Sequence, residues 1–160
     1  PAPFGAILAI TPTTNPTATI VNNAISMLAA GNTVLFAPHP RALKTSLVCI
    51  DLLNEAIENA GGPPNLLVSM ATVDLDVVRD VLMKHPRIAV ICVTGGTAVV
   101  DLALTSGKRT IGAAAGNPPA LVDDTANPEK AANHMRRSSK TRRPTMSTRM
   151  RQCAAPPRTI

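Results

Sequence analysis

Three short segments of this chain carry residue types that could hold an anion or polarise a carbonyl. Thr94-Gly95-Gly96-Thr97 follows an apolar run and opens a helical pattern. Glycines there allow close backbone approach, and the free N–H groups and positive dipole end of a helix start suit a diphosphate. A tight strand-to-helix turn would use the same residues. The segment is neither the Gly-x-Gly-x-x-Gly fingerprint nor a Walker loop.

Thr11-Pro12-Thr13-Thr14-Asn15-Pro16 is a polar loop after another apolar run. In an open α/β sheet, ligands bind at the carboxyl ends of strands. The Asn15 amide could donate to a developing oxyanion. Spacing alone is met more simply by an Asn that caps the following helix. Pro38-His39-Pro40 closes a third run, and its two prolines make a rigid wall for a pocket. His39 has no acid near it in sequence to orient the ring, and His85, just before Pro86, reads as a helix C-terminal cap. Small residues fill Gly112 to Gly116 before a stiff Asn117-Pro118-Pro119, and no carboxylate stands there as a base.

The elements that position these loops follow from periodicity. Short apolar runs predict strands at Phe4–Ile10, Thr33–Phe36, Asn65–Met70, Ile88–Val93, Arg109–Ala115 and Pro119–Val122. Apolar residues at three-to-four spacing predict helices over Thr17–Ala30, Arg41–Ala60, Leu75–Met83 and Thr97–Leu104. Gly31 and Gly61-Gly62-Pro63-Pro64 are stop signals, and Asp74 or Asp76 marks a helix start. Alternation of strand and helix implies a parallel α/β sheet covered on both faces. A core poor in aromatics suits such a sheet: the chain has two Phe and neither Tyr nor Trp.

Charge divides the 160 residues sharply. Residues 1–133 hold 8 Lys/Arg against 10 Asp/Glu, whereas residues 134–160 hold 8 Lys/Arg and no acid. The net +6 therefore belongs to the tail, and the domain is mildly acidic. That tail has seven Arg, three Pro and no apolar period, so it is expected to be disordered. Its Arg136, Arg137, Arg142 and Arg143 could contact phosphates, but without stacking aromatics only non-specifically. The helix begun at Pro128 loses its apolar face there, and the abrupt change reads as a translated frameshift. Cys49, Cys92 and Cys153 form neither a disulfide framework nor a metal site; the first two read as small buried hydrophobes in a reducing, cytoplasmic setting. No run is long enough to span a membrane. The opening Pro1-Ala-Pro-Phe-Gly lacks a basic signal region, and without an initiator Met the chain is expected to begin inside a longer protein.

Taken in order, Ala9-Ile-Thr-Pro-Thr-Thr-Asn-Pro-Thr-Ala-Thr19, Asn22 to Asn32, Pro38-His-Pro40, Val93-Thr-Gly-Gly96 and Gly116-Asn-Pro-Pro119 resemble the CoA-acylating branch of the aldehyde dehydrogenase superfamily. The similar types are propionaldehyde and acetaldehyde dehydrogenases of bacterial microcompartments and the dehydrogenase half of bifunctional aldehyde-alcohol dehydrogenases. The resemblance covers roughly residues 3–133. It implies a Rossmann-like fold, truncated, and oxidation of a small aldehyde with NAD through an acyl-enzyme that CoA attacks. It further implies an NAD-binding domain over residues 1–133, with Asn15 as the oxyanion-stabilising amide. The dinucleotide site would be walled by Thr11, Pro12, Thr13, Thr14, Pro38, His39, Pro40, Thr94, Gly95, Gly96 and Thr97. Small residues at Gly112–Ala115, where hydrolytic relatives carry a Glu base, fit a thiol acceptor rather than water. A homo-oligomeric parent, associated with a microcompartment or the cytoplasm, is also implied.

Two departures stand out. The family's Gly-Gly-Pro-Gly is replaced by Gly95-Gly96-Thr97-Ala98. The family's nucleophilic cysteine should fall within Thr141–Arg151, where this chain has none, and Cys153 lacks the expected neighbours. The chain is therefore expected to be a fragment without turnover, or a nucleotide-binding pseudoenzyme.

Overall fold

The computed structural model describes residues 2–114, 122, 123 and 125–133. The strand expected at Pro119–Val122, the segment Gly116–Pro119 and the basic tail lie outside them, apart from Val122, which is not in a strand. Residues 1–116 form one unit and residues 117–160 another.

Five parallel strands build the first unit: β1 (Ala6–Thr11), β2 (Thr33–Pro38), β3 (Leu67–Ser69), β4 (Ile88–Thr94) and β5 (Arg109–Ala113), in the order β3-β2-β1-β4-β5. The α/β reading of the sequence is thus the observed one. Helices α1 (Pro16–Ala29) and α2 (Leu43–Asn59) cover one face. A single α-turn, α3 (Leu75–Val77), continues into a π-helical stretch at Val78–Leu82, and with α4 (Thr97–Leu104) it covers the other.

Period-two alternation sorts the side chains of each strand between two cores. Leu8 and Ile10 of β1 pack with Ile91 and Val93 of β4 against Val78, Met83, Val100 and Ala103. Ala9, Val34, Phe36 and Leu67 face the opposite way, onto Ile20 and Ala24 of α1 and Ile50 of α2. Phe36, fully buried, is the largest of them. Its burial contributes about 1.5–3 kcal/mol.

Several elements differ from the periodic expectation. The helix read from Arg41 begins as a 3-10 turn at Pro40–Ala42, because His39 and Pro40 tighten the entry before α2. Leu75–Met83 is not regular: after Asp74 caps its start, the Met83 N–H donates to the Val78 carbonyl at 2.9 Å, five residues back. The edge strand β3 is only three residues long, held by the Asn54 amide, which donates to the Leu67 carbonyl and accepts from the Leu67 N–H. Buried Asn32 was not singled out by the sequence. Its Oδ1 accepts from the N–H groups of Phe4 and Gly5, which fixes the chain entering β1.

In the second unit, residues 128–133 are helical, and the Asn127 side chain accepts from the Lys130 N–H at 3.0 Å. The helix start read at Pro128 is therefore present.

Candidate functional site

Strand order reverses between β1 and β4: the chain leaves β1 towards α1 on one face and leaves β4 towards α4 on the other. The loops that leave these adjacent strands diverge, and a crevice opens at their carboxyl ends. A cleft of about 680 Å³ occupies this place. That is the size of a small-molecule site.

Thr11, Pro12, Thr13 and Thr14 after β1, Pro38, His39 and Pro40 at the end of β2, and Thr94, Gly95 and Gly96 after β4 all line the cleft. Three segments far apart along the chain are brought together because their strands are neighbours. Asn15 and Thr97 do not line it. Asn15 is exposed at the start of α1, and its side chain makes no cap hydrogen bond. The simple capping role suggested by spacing is thus not the one observed: the Asn15 carbonyl accepts the first helical bond from the Thr19 N–H and a second from the Thr19 hydroxyl, and the first-turn N–H groups are left uncapped by its side chain.

The sequence missed the apolar floor. Val73, Leu75 and Val78 from the α3 region, Ala98 and Val99 from α4, and Ala113 and Ala114 at the end of β5 complete the lining. Ala113 and Ala114 belong to the small-residue stretch noted from the sequence. Leu75 and Val78 carried only a helical period, which does not distinguish a core residue from a pocket wall.

The electrostatics of the cleft favour an anion. None of its lining residues is acidic. Neither α1 nor α4 has an acidic residue in its first turn, and neither has a side-chain cap, so both helix starts present N–H groups. The Gly95 N–H is tied to the Ala113 carbonyl at 3.1 Å, which sets the start of α4 against the end of β5. A Cβ on Gly95 would stand 2.9 Å from Val99 Cγ1, so an alanine there would have to displace that methyl. A Cβ on Gly96 would meet nothing within 4 Å, and its φ of −67° suits any residue. The openness at Gly96 is therefore space beside a backbone N–H, not relief of strain. The Thr11 hydroxyl is buried without a hydrogen-bond partner, with the residue 2 % exposed. Such an oxygen costs the fold about 1–3 kcal/mol.

His39 is oriented by backbone rather than by an acid: its Nδ1 accepts from the Arg41 N–H at 3.2 Å. His85 does the same for Arg87, so its ring shapes the turn into β4 instead of capping the helix before it. Cys49 on α2 and Cys92 on β4 are half-buried, not wholly buried as their apolar surroundings suggested, and neither lines the cleft. Burial pushes both thiols above their ordinary pKa.

A parallel sheet with this order and a switch-point cleft defines a Rossmann-like α/β domain. The aldehyde dehydrogenase family model matches residues 1–142, and the chain belongs to that family. It is 54% identical over 132 residues to the acetaldehyde dehydrogenase (acetylating) EutE of Salmonella typhimurium, across 82% of this chain and 28% of that enzyme. Among solved structures, a propionaldehyde dehydrogenase from the fucose utilisation bacterial microcompartment of Clostridium phytofermentans is 55% identical with a TM-score of 0.73, over 82% of this chain and 30% of that one. An engineered glycolyl-CoA reductase with bound NADP+ is 51% identical with a TM-score of 0.72, again over 82% and 30%. The chain thus spans under a third of the length of these relatives. Among the described residues, no helix is long and apolar enough to cross a membrane, and no cluster of ligands could hold a metal.

Proposed function

We propose that this chain forms the dinucleotide-holding part of a CoA-acylating aldehyde dehydrogenase. The observation that carries the reading is the convergence of the three loops on one acid-free cleft between two uncapped helix starts. NAD fits the cleft: its diphosphate suits the N–H groups at Gly96 and the start of α4, where no Cβ intervenes. Pro38, His39 and Pro40 would hold the ribose end. Thr11, Pro12, Thr13 and Thr14, with Thr94 and Gly95, would close the wall, and Thr97 would start the helix behind it.

A dinucleotide held there would supply a hydride acceptor for a small aldehyde, with CoA as the acyl acceptor; likeness to acetylating and CoA-reductase relatives supports both substrates. Asn15, whose side chain is not consumed by the helix cap, would donate to the developing oxyanion from the rim. The domain is read as residues 1–133 and the Arg-rich remainder as no part of it. Likeness to the Clostridium enzyme supports microcompartment association, and a homo-oligomeric parent rests on the family resemblance alone. Neither Cys49 nor Cys92 lines the cleft and burial raises both thiols above their ordinary pKa, while Cys153 lacks the neighbours expected of the family's nucleophile. The chain alone therefore binds dinucleotide without turning over aldehyde.

Titrating the full chain with NADH, read by nicotinamide fluorescence, tests this. Saturable binding is expected, and Thr11→Val should leave thermal stability equal or higher, because an unsatisfied buried hydroxyl is removed. Absence of binding, or NADH formation from aldehyde, CoA and NAD by the unmodified chain, would overturn the respective half of the reading.

A further inference from the structure

Dinucleotide sites on such sheets read the adenine ribose at the carboxyl end of the strand beside β1. A carboxylate there accepts from the free 2′-hydroxyl and repels a 2′-phosphate, whereas a nearby Arg accommodates the phosphate. In this chain that strand is β2, which runs into Ala37-Pro38-His39-Pro40-Arg41. There is no Asp or Glu anywhere before Asp51. The acids beside the other wall are already engaged: Asp74 accepts from the N–H groups of Asp76 and Val77, and Asp76 pairs with Arg79 at 2.9 Å.

What the end of β2 offers instead is donors. His39 lines the cleft, and since its Nδ1 accepts from the Arg41 N–H, the neutral ring carries its hydrogen on Nε2. Arg41 follows directly after the last cleft-lining residue of this loop, is exposed, and enters no salt bridge among the described residues. A guanidinium and an imidazole N–H match the oxygens of a phosphate monoester.

We propose, resting on the dinucleotide reading above, that this cleft selects its cofactor with donors at His39 and Arg41 rather than with a carboxylate. It therefore accepts a 2′-phosphorylated adenine ribose comparably to a free one. NAD-linked use then reflects supply of the cofactor rather than exclusion of its phosphorylated form.

The test is a pair of titrations of the full chain, with NADH and with NADPH. The two dissociation constants should agree within about threefold, and 2′,5′-ADP should displace either at least as well as ADP. Arg41→Glu, an exposed change that keeps the backbone N–H to His39, should lower the NADPH-to-NADH affinity ratio by about tenfold or more. NADH binding with NADPH at least about tenfold weaker in the unmodified chain would sink this proposal and spare the dinucleotide reading. An unchanged ratio in Arg41→Glu would sink it too. Binding of neither would sink both.

Discussion

The two faces of the sheet are built to different standards. One is covered by α1 and α2, of 14 and 17 residues, which pack on Phe36, Val34 and Leu67. The other is covered by a three-residue turn, a five-residue π stretch and the eight-residue α4. At the carboxyl end of the sheet the thin layer supplies Leu75, Val78, Ala98 and Val99 to the floor of the cleft. Both faces bury a core, and the cleft's apolar floor belongs to the thin one. The π stretch fits this division, since such irregular turns are common at functional sites.

The largest effect should come from the thick face. Phe36→Ala removes the biggest fully buried side chain and should cost about 3–5 kcal/mol, towards the upper end of the roughly 2–5 kcal/mol expected for buried Met83→Ala beneath the thin face. Denaturant midpoints followed by circular dichroism check this, and a Met83 variant losing more than the Phe36 variant would break the comparison.

At the cleft, the adjacent glycines should separate the two roles. Gly95→Ala drives a Cβ against Val99 and should cost about 1–2 kcal/mol of stability. Gly96→Ala meets nothing, so stability should stay within about 0.5 kcal/mol while NADH affinity falls about tenfold. Equal behaviour of the two variants in paired melting and titration experiments would argue that the turn is structural only.

The smallest effect should come from the exposed surface of the thin face. Hydrogen bonds from Arg79 and then Lys84 hold the Asp80 carboxyl well below the usual carboxylate range. A depressed carboxylate adds stability above its unfolded pKa near 4 and loses it as pH falls through the lower folded value. Asp80→Asn should therefore lower Tm slightly at neutral pH, by at most about 2 °C, with the difference fading in strong acid and in high salt. A large or salt-insensitive loss would mean that this surface supports the π stretch more than screened ion pairs can.

Much of this was legible along the chain. Apolar runs bounded by Gly and Pro located all five described strands, and loop composition located Thr11–Thr14, Pro38–Pro40 and Thr94–Gly96 before any of them were neighbours in space. Where the reading erred, a long-range or conformational cause was at work. Asn15 has the side chain of a cap but makes no cap hydrogen bond, and His85 accepts from the Arg87 N–H instead of capping the helix before it. The π turn follows from a one-residue widening that periodicity over so short a segment cannot resolve.

By itself the sequence determined the strand-and-helix alternation, the acid-free polar loops and their resemblance to the acylating dehydrogenases, because residue type fixes local period and side-chain chemistry. Only the tertiary structure decided that β1 and β4 are neighbours with helices departing to opposite faces. That adjacency turns three separate loops into one cleft, buries the Thr11 hydroxyl without a partner and leaves Gly96 open. Each of these depends on contacts between residues distant in the chain, which no local pattern encodes.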